Sequence, residues 1–286
     1  MKTKALSRRS AELLLAGVII ARSTSYLFSK LIMEGMGLFN LLGVRFLLGF
    51  TLLTLLFFKK LRHIDGKSLI AGLIMGTMYF LVMTAELSGL KRTASSTVSF
   101  LENTAIVLVP LLQAVLSRRQ PKKMAVFSAA VSLAGVALLT LGGSVKFGLG
   151  EVFSILAALL YASAILVTDR LTHAGIDPLP AGIVQVGTIG MLAMSASFLT
   201  ETPRLPAGTL EWIGIVMLAV VCTGFGFTLQ PVAQSGTTAD RAGMFCALNP
   251  LVASVLGVVF LHEHIAPQGN DLPGVQQLAA DPVHRL

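Results

Sequence analysis

The sequence predicts an all-α polytopic membrane protein, and three observations predict it. Hydrophobic residues fill 54% of the 286 positions and charged residues only 13%, about half the charged share of a soluble globular domain. Apolar runs close to the ~20 residues that a helix needs to cross a bilayer recur along nearly the whole chain, separated by short polar stretches. Alternation with the two-residue period of a transmembrane β-barrel strand is scarce.

Reading helices from apolar length, and their ends from charge, Gly and Pro, places spans near 12–33, 38–58, 68–88, 94–116, 122–142, 149–170, 179–200, 210–232 and 239–261. The first follows Lys2, Lys4, Arg8 and Arg9 and resembles a signal peptide at its start. It lacks a small-residue cleavage site and continues past Arg22 to Met33, so it reads as an uncleaved span. Lys59 and Lys60 close the second span, Lys91 and Arg92 the third, Arg118 and Arg119 the fourth, and Arg170 the sixth. The loops are short and leave no room for a soluble catalytic domain, so the chemistry must lie within or between helices.

The formal charge of +8 comes from 22 Lys and Arg residues scattered among loops rather than gathered on one face, which argues against a nucleic-acid partner. Topogenesis accounts for them. With the N-terminus in the cytoplasm, fourteen of these cations fall on the inner side and six on the outer, with Arg22 and Arg45 inside spans. Trp212 then sits at the outer interface, where indoles are favoured. Cys222 and Cys246 lie in apolar runs without a Cys/His ligand set and read as small core residues.

An internal repeat emerges when the fourth span is laid on the ninth, so that Ala105 falls on Pro250 and Pro121 lies close to Pro267, at intervals of 16 and 17 residues. Glu12 through Lys30 can likewise be laid on Glu151 through Arg170, each a helix opening near a carboxylate and closing on a cation. Partners in each pair lie five helices apart, an odd number, so the second copy enters the membrane from the opposite side, as in inverted-repeat transporters. This divides the chain into a cytoplasmic N-terminus (1–11), a first five-helix repeat (12–142), a second repeat of four helices (149–261) and a polar tail (262–286).

Several stretches resemble the EamA-type members of the drug/metabolite transporter superfamily over roughly residues 10–267. They are Gly43-Val44-Arg45-Phe46-Leu47, Glu102-Asn103-Thr104-Ala105, Ala134-Gly135-Val136-Ala137-Leu138-Leu139, Ala247-Leu248-Asn249-Pro250-Leu251 and Leu261-His262-Glu263-His264. Their order and spacing carry the resemblance. It implies two inverted five-helix halves around a central pathway serving efflux of amino acids, metabolites or toxic compounds. The sequence departs from the family pattern where His262 replaces a glycine, where Ser117-Arg118-Arg119 lacks an acidic residue, and where the tenth helix would stand.

Ionisable groups at bilayer depth cost roughly 2.5–3.5 kcal/mol on insertion scales, which makes each a functional candidate. Ser25, Tyr26 and Ser29 share the helical face of Arg22 at i+3, i+4 and i+7. Glu102 shares a face with Ser95 and Ser99 and is flanked by Asn103. The functional reading makes Glu102 a proton-exchanging or cation-recognising group and Arg22 a counter-charge or carboxylate anchor; the structural one makes them a static pair locking two helices. Arg45 matches the family's second-helix arginine, and could equally satisfy carbonyls at a broken helix or snorkel outward. Glu86, seven residues after Tyr79 and near Lys91, reads as an interfacial ion pair. Tyr161, Gln185, Gln230 and Asn249 are secondary lining candidates that would bond across helices. Gly72, Gly76, Gly182, Gly187 and Gly190 read as helix-packing positions.

His262 and His264 lie two apart, about 200° round a helix, and do not make a metal site. No catalytic constellation, cofactor motif or nucleotide-binding motif emerges. The leading expectation is a secondary transporter, an exporter, of small metabolites, amino acids or drug-like solutes in a bacterial inner membrane, with membrane lipid around it and protons exchanged at Glu102. An intramembrane lipid-modifying enzyme and a non-transporting scaffold or degenerate paralogue are the alternatives. Residues 266–286, with Pro267, Pro273 and Pro282, cannot form a tenth span and are expected to emerge on the outer face. The chain reads either as a nine-span protein or as a truncated or frame-shifted form of a ten-span parent. Its second half would then expose a helix face for lipid, a second protomer or another partner to cover.

Overall fold

The computed structural model describes residues 7–118 and 148–246 and single positions beyond them (120, 127, 131, 248, 249, 252, 255, 256 and 259). The expected span at 122–142, all but the start of the span at 239–261, and the tail 262–286 lie outside the described residues. Among the described residues every element is helical: α1 (Arg8–Ile32), α2 (Leu38–Leu56), α3 (Phe58–Leu61), α4 (Gly66–Leu90), α5 (Ser95–Glu102), α6 (Ala105–Leu116), α7 (Leu149–His173) and α8 (Pro178–Thr200). Then follow α9 (Thr209–Met217), a π-helical segment (Leu218–Phe227), α10 (Thr228–Gln234) and α11 (Ala239–Phe245).

Seven stretches among these residues are long and apolar enough to cross a membrane: Arg8–Ile32, Leu38–Leu56, Gly66–Leu90, Thr97–Leu116, Leu149–His173, Pro178–Thr200 and Thr209–Gln234. They coincide with the first four expected spans and with the sixth to eighth. Local chemistry sets several of their starts. The Ser7 side chain accepts from the Ser10 amide at 3.3 Å and that of Asp65 from the Ser68 amide at 3.4 Å, each an N-cap. Glu151 reaches back to the Gly148 amide at 3.0 Å to open α7, and Pro178 stands in the first turn of α8.

Two spans that read as continuous helices are not regular. The fourth breaks between Glu102 and Ala105, where the amides of Thr104, Ile106 and Val107 bond three residues back instead of four. The eighth carries ten π-helical residues between α9 and α10. Neither departure changes apolar length, which is why hydropathy places both spans correctly and misses both irregularities.

α2 runs along α8, α4 packs between α7 and α8, α1 lies against the π segment and α10, and α11 meets α6. The approach of α4 to α8 is close because Gly72 and Gly76 face it, as the packing reading expects. A Cβ on Gly72 would stand 2.6 Å from Val184 Cβ, and one on Gly76 2.5 Å from Thr188 Cβ. Large apolar side chains such as Leu55, Leu56, Ile70, Leu73, Met191, Phe198 and Ile213 point outward, whereas Arg22, Arg45, Glu86 and Glu102 are buried. That inside-out distribution suits a lipid solvent.

Both ends of the bundle are tied. Glu201, just past α8, accepts from the Phe39 and Asn40 amides at 3.1 and 2.8 Å and so caps α2. Arg204 pairs with Glu211 at 2.7 Å and donates to the Gly35 carbonyl, joining the turn after α1 to the start of α9. At the opposite end Glu12 of α1 takes ion pairs from Arg8, at 3.2 Å, and from Arg241 of α11.

Candidate functional site

The polar face of α1 organises the centre of the molecule. Because Arg22, Tyr26 and Ser29 recur at i, i+4 and i+7, they form one stripe about 10 Å long, and each meets a different helix.

Arg22 meets the second half of the chain. Its Nη1 donates to Tyr161 Oη on α7 at 3.0 Å and to Gln230 Oε1 on α10 at 2.7 Å. Gln230 Nε2 in turn donates to Tyr79 Oη on α4 at 2.6 Å. The guanidinium carbon lies 4.3 Å from the ring centre of Phe227, 4.9 Å from Tyr161 and 5.6 Å from Tyr79. Three aromatic faces and two neutral acceptors thus replace the water that a buried cation has lost. The π segment supplies one of these faces by bringing Phe227 beside Arg22.

Tyr26 donates to Glu102 Oε2 at 2.7 Å. Glu86 of α4 lies beside Glu102 of α5, and both are almost fully buried, at 2% and 1% exposure. This corrects the expectation of an interfacial pair between Glu86 and Lys91. Nearness to a span end misled, because the neighbouring helices cover that end of α4. Glu102 is the last residue of α5, and Asn103 and Thr104 form the break that follows. The carboxyl pair therefore sits where the backbone leaves regular helix.

Arg22 and Glu102 interact through space without a direct ion pair: Arg22 donates to Tyr161 and Gln230, while Glu102 accepts from Tyr26. The static-pair reading therefore does not describe the geometry. Arg45 of α2, fully buried, donates to Ser29 Oγ at 3.4 Å with its Cζ 4.7 Å from the Phe46 ring centre. Among the described residues it neither snorkels outward nor serves a carbonyl at a helix break.

The remaining candidates surround this centre. Asn249 Oδ1 accepts from Ser23 Oγ at 2.7 Å, Gln185 Nε2 donates to the Phe227 carbonyl at 3.4 Å, and Ser99 is buried on α5. Asn103 is half-buried, with its Oδ1 unpartnered among the described residues. Phe227, Ser23 and Cys222 were not singled out by sequence reasoning as site residues. Cys222 Sγ bonds the Ala21 carbonyl and Thr24 Oγ1, each at 3.2 Å. No periodicity signals Cys222 and Phe227, since a π-helical run sets their facing.

Comparison with known proteins agrees with this architecture. The model of the EamA-like transporter family matches the chain twice, over residues 9–141 and 148–269. An uncharacterized transporter of Archaeoglobus fulgidus is 27% identical over 266 residues, covering 88% of this chain and 89% of that protein. A crystal structure with 20% sequence identity superposes with a TM-score of 0.68, covering 92% of this chain and 91% of that one, and shows the same fold. With two family matches that together take in nearly the whole sequence, the chain is a member of the EamA-like transporter family.

Proposed function

We propose that this protein is a secondary transporter that exports small polar metabolites or drug-like solutes by alternating access, with proton exchange at the Glu86–Glu102 pair as the coupling step. The observation that carries the reading is the position of the polar network. It is buried between helices of the two matched segments: α1, α2, α4 and α5 from one, α7, α10 and the π segment from the other. A site at the interface of two repeats, beside interrupted helices, is where secondary transporters bind substrate and coupling ion. Outward transport is the direction that the resemblance of the motifs implies.

The packing supports an inverted duplication. Exchanging spans one, two, three and four with six, seven, eight and nine turns the contact of α4 with α7 into that of α1 with the eighth span. It returns the contacts of α2 with α8 and of α6 with α11 to themselves. Two halves related in this way rock about a fixed centre without either unfolding.

Purified protein in proteoliposomes, loaded with candidate solutes and screened by counterflow, tests the reading. Saturable exchange of at least one solute without chemical change is expected, and Glu102→Gln should exchange solute while losing acceleration by a pH gradient. Protein that inserts and remains monodisperse yet moves none of the solutes would contradict it.

A further inference from the structure

Of the two buried guanidiniums only one is well satisfied. Arg22 has its tyrosine, its glutamine and three aromatic faces. Arg45 is 0% exposed, holds a single long bond to Ser29, and has no partner for Nε or Nη2 among the described residues. These two nitrogens lie side by side on one edge of the guanidinium, with parallel N–H bonds whose spacing matches the two oxygens of a carboxylate. A buried cation that leaves this edge unused is costly unless something else takes the bonds.

Among the described residues no carboxylate bonds Arg45, whose one hydrogen bond goes to the Ser29 hydroxyl. Its neighbours include the small polar Ser29 and, within electrostatic reach, Cys222 with Thr24 bonded to it, beside the ring of Phe46. Thr223, against Gly49 one turn along α2, has its hydroxyl unpartnered among the described residues. Lipid headgroups do not reach this depth, since Arg45 lies about 10 Å along α2 from its Leu38 end.

We propose that Arg45 anchors the anionic group of the transported solute, a monocarboxylate docked on the Nε–Nη2 edge. This rests on the transport reading above and names its substrate class. One carboxylate offers two oxygens to that edge and one negative charge to this guanidinium, whereas a phosphate dianion brings a second charge that Arg45 does not match.

The test uses full-length protein in lipid nanodiscs and isothermal calorimetry with probes of matched shape: acetate and acetamide, and benzoate, benzamide and benzylamine, with inorganic phosphate as a further arm. At least one carboxylate should bind, with its amide, benzylamine and phosphate at least tenfold weaker. Arg45→Gln should weaken that carboxylate about 10- to 100-fold, and Arg45→Lys should recover part of the loss. The wild-type comparison is decisive even where Arg45→Gln fails to fold. Binding of no carboxylate, equal binding of carboxylate and amide, or unchanged affinity in folded Arg45→Gln would overturn the proposal. Carboxylate binding without flux in proteoliposomes would leave the anchor standing and remove the transport reading. Flux of neutral or cationic solutes without carboxylate binding would do the reverse.

Discussion

Gln230 links Arg22 of α1 to Tyr79 of α4, accepting from the first and donating to the second. Gln230→Leu would leave Arg22 short of one acceptor in a dry environment, at a cost of about 1–3 kcal/mol. We expect a lower thermal midpoint of the purified protein by differential scanning fluorimetry and loss of counterflow; an unchanged midpoint would mean that Gln230 is dispensable to the network. Arg22→Lys should preserve folding but reduce flux at least tenfold, because an ammonium that bonded Tyr161 and Gln230 could not also lay a planar face against three rings as a guanidinium does. Counterflow at wild-type rate would contradict that role. The sequence makes Arg22, Tyr26, Ser29 and Glu102 legible as polar positions because helical periodicity fixes which residues share a face. It leaves their partners open. Whether Arg22 meets Glu102 or Tyr161 depends on how helices far apart in sequence are packed, and Glu86 was misread for the same reason.

At the scale of the element, apolar length located the seven described spans, while the break at Asn103-Thr104 and the π segment stayed hidden. Both irregularities border the polar centre: one places Glu102 at a helix end, and the other swings Phe227 over Arg22. Such departures occur in membranes where protein, not lipid, covers the disturbed backbone. The Gly72-x-x-x-Gly76 pair was legible as a packing motif, and its mate, the face of α8 around Val184 and Thr188, was not. Gly76→Val would force α4 away from α8, where the Gln185 carbonyl and Thr188 stand against the glycine. A destabilisation of about 1–3 kcal/mol is expected, read as a fall in the urea or heat resistance of the detergent-solubilised protein. Gly66, with open space around its Cβ position, serves as the control: Gly66→Ala should leave resistance unchanged. Equal resistance in Gly76→Val and Gly66→Ala would refute the close contact.

For the whole molecule, the positive-inside count predicts a cytoplasmic side for loops 59–67 and 117–123. Impermeant thiol reagents added to intact cells should therefore label Lys146→Cys and spare single cysteines in those two loops, in a background where Cys222 and Cys246 are replaced. The opposite pattern would invert the orientation. The proposal that a carboxyl pair buried between two halves couples solute movement to protons is tested most directly by measuring both flows together. Proteoliposomes carrying a pH-sensitive dye in the lumen and a labelled solute identified by counterflow would be compared for wild type, Glu86→Gln and Glu102→Gln. Solute-dependent proton movement and gradient-driven solute accumulation are expected in wild type. In Glu102→Gln both should vanish while solute exchange persists, and Glu86→Gln should weaken the coupling. Full proton-coupled accumulation in Glu102→Gln would contradict it.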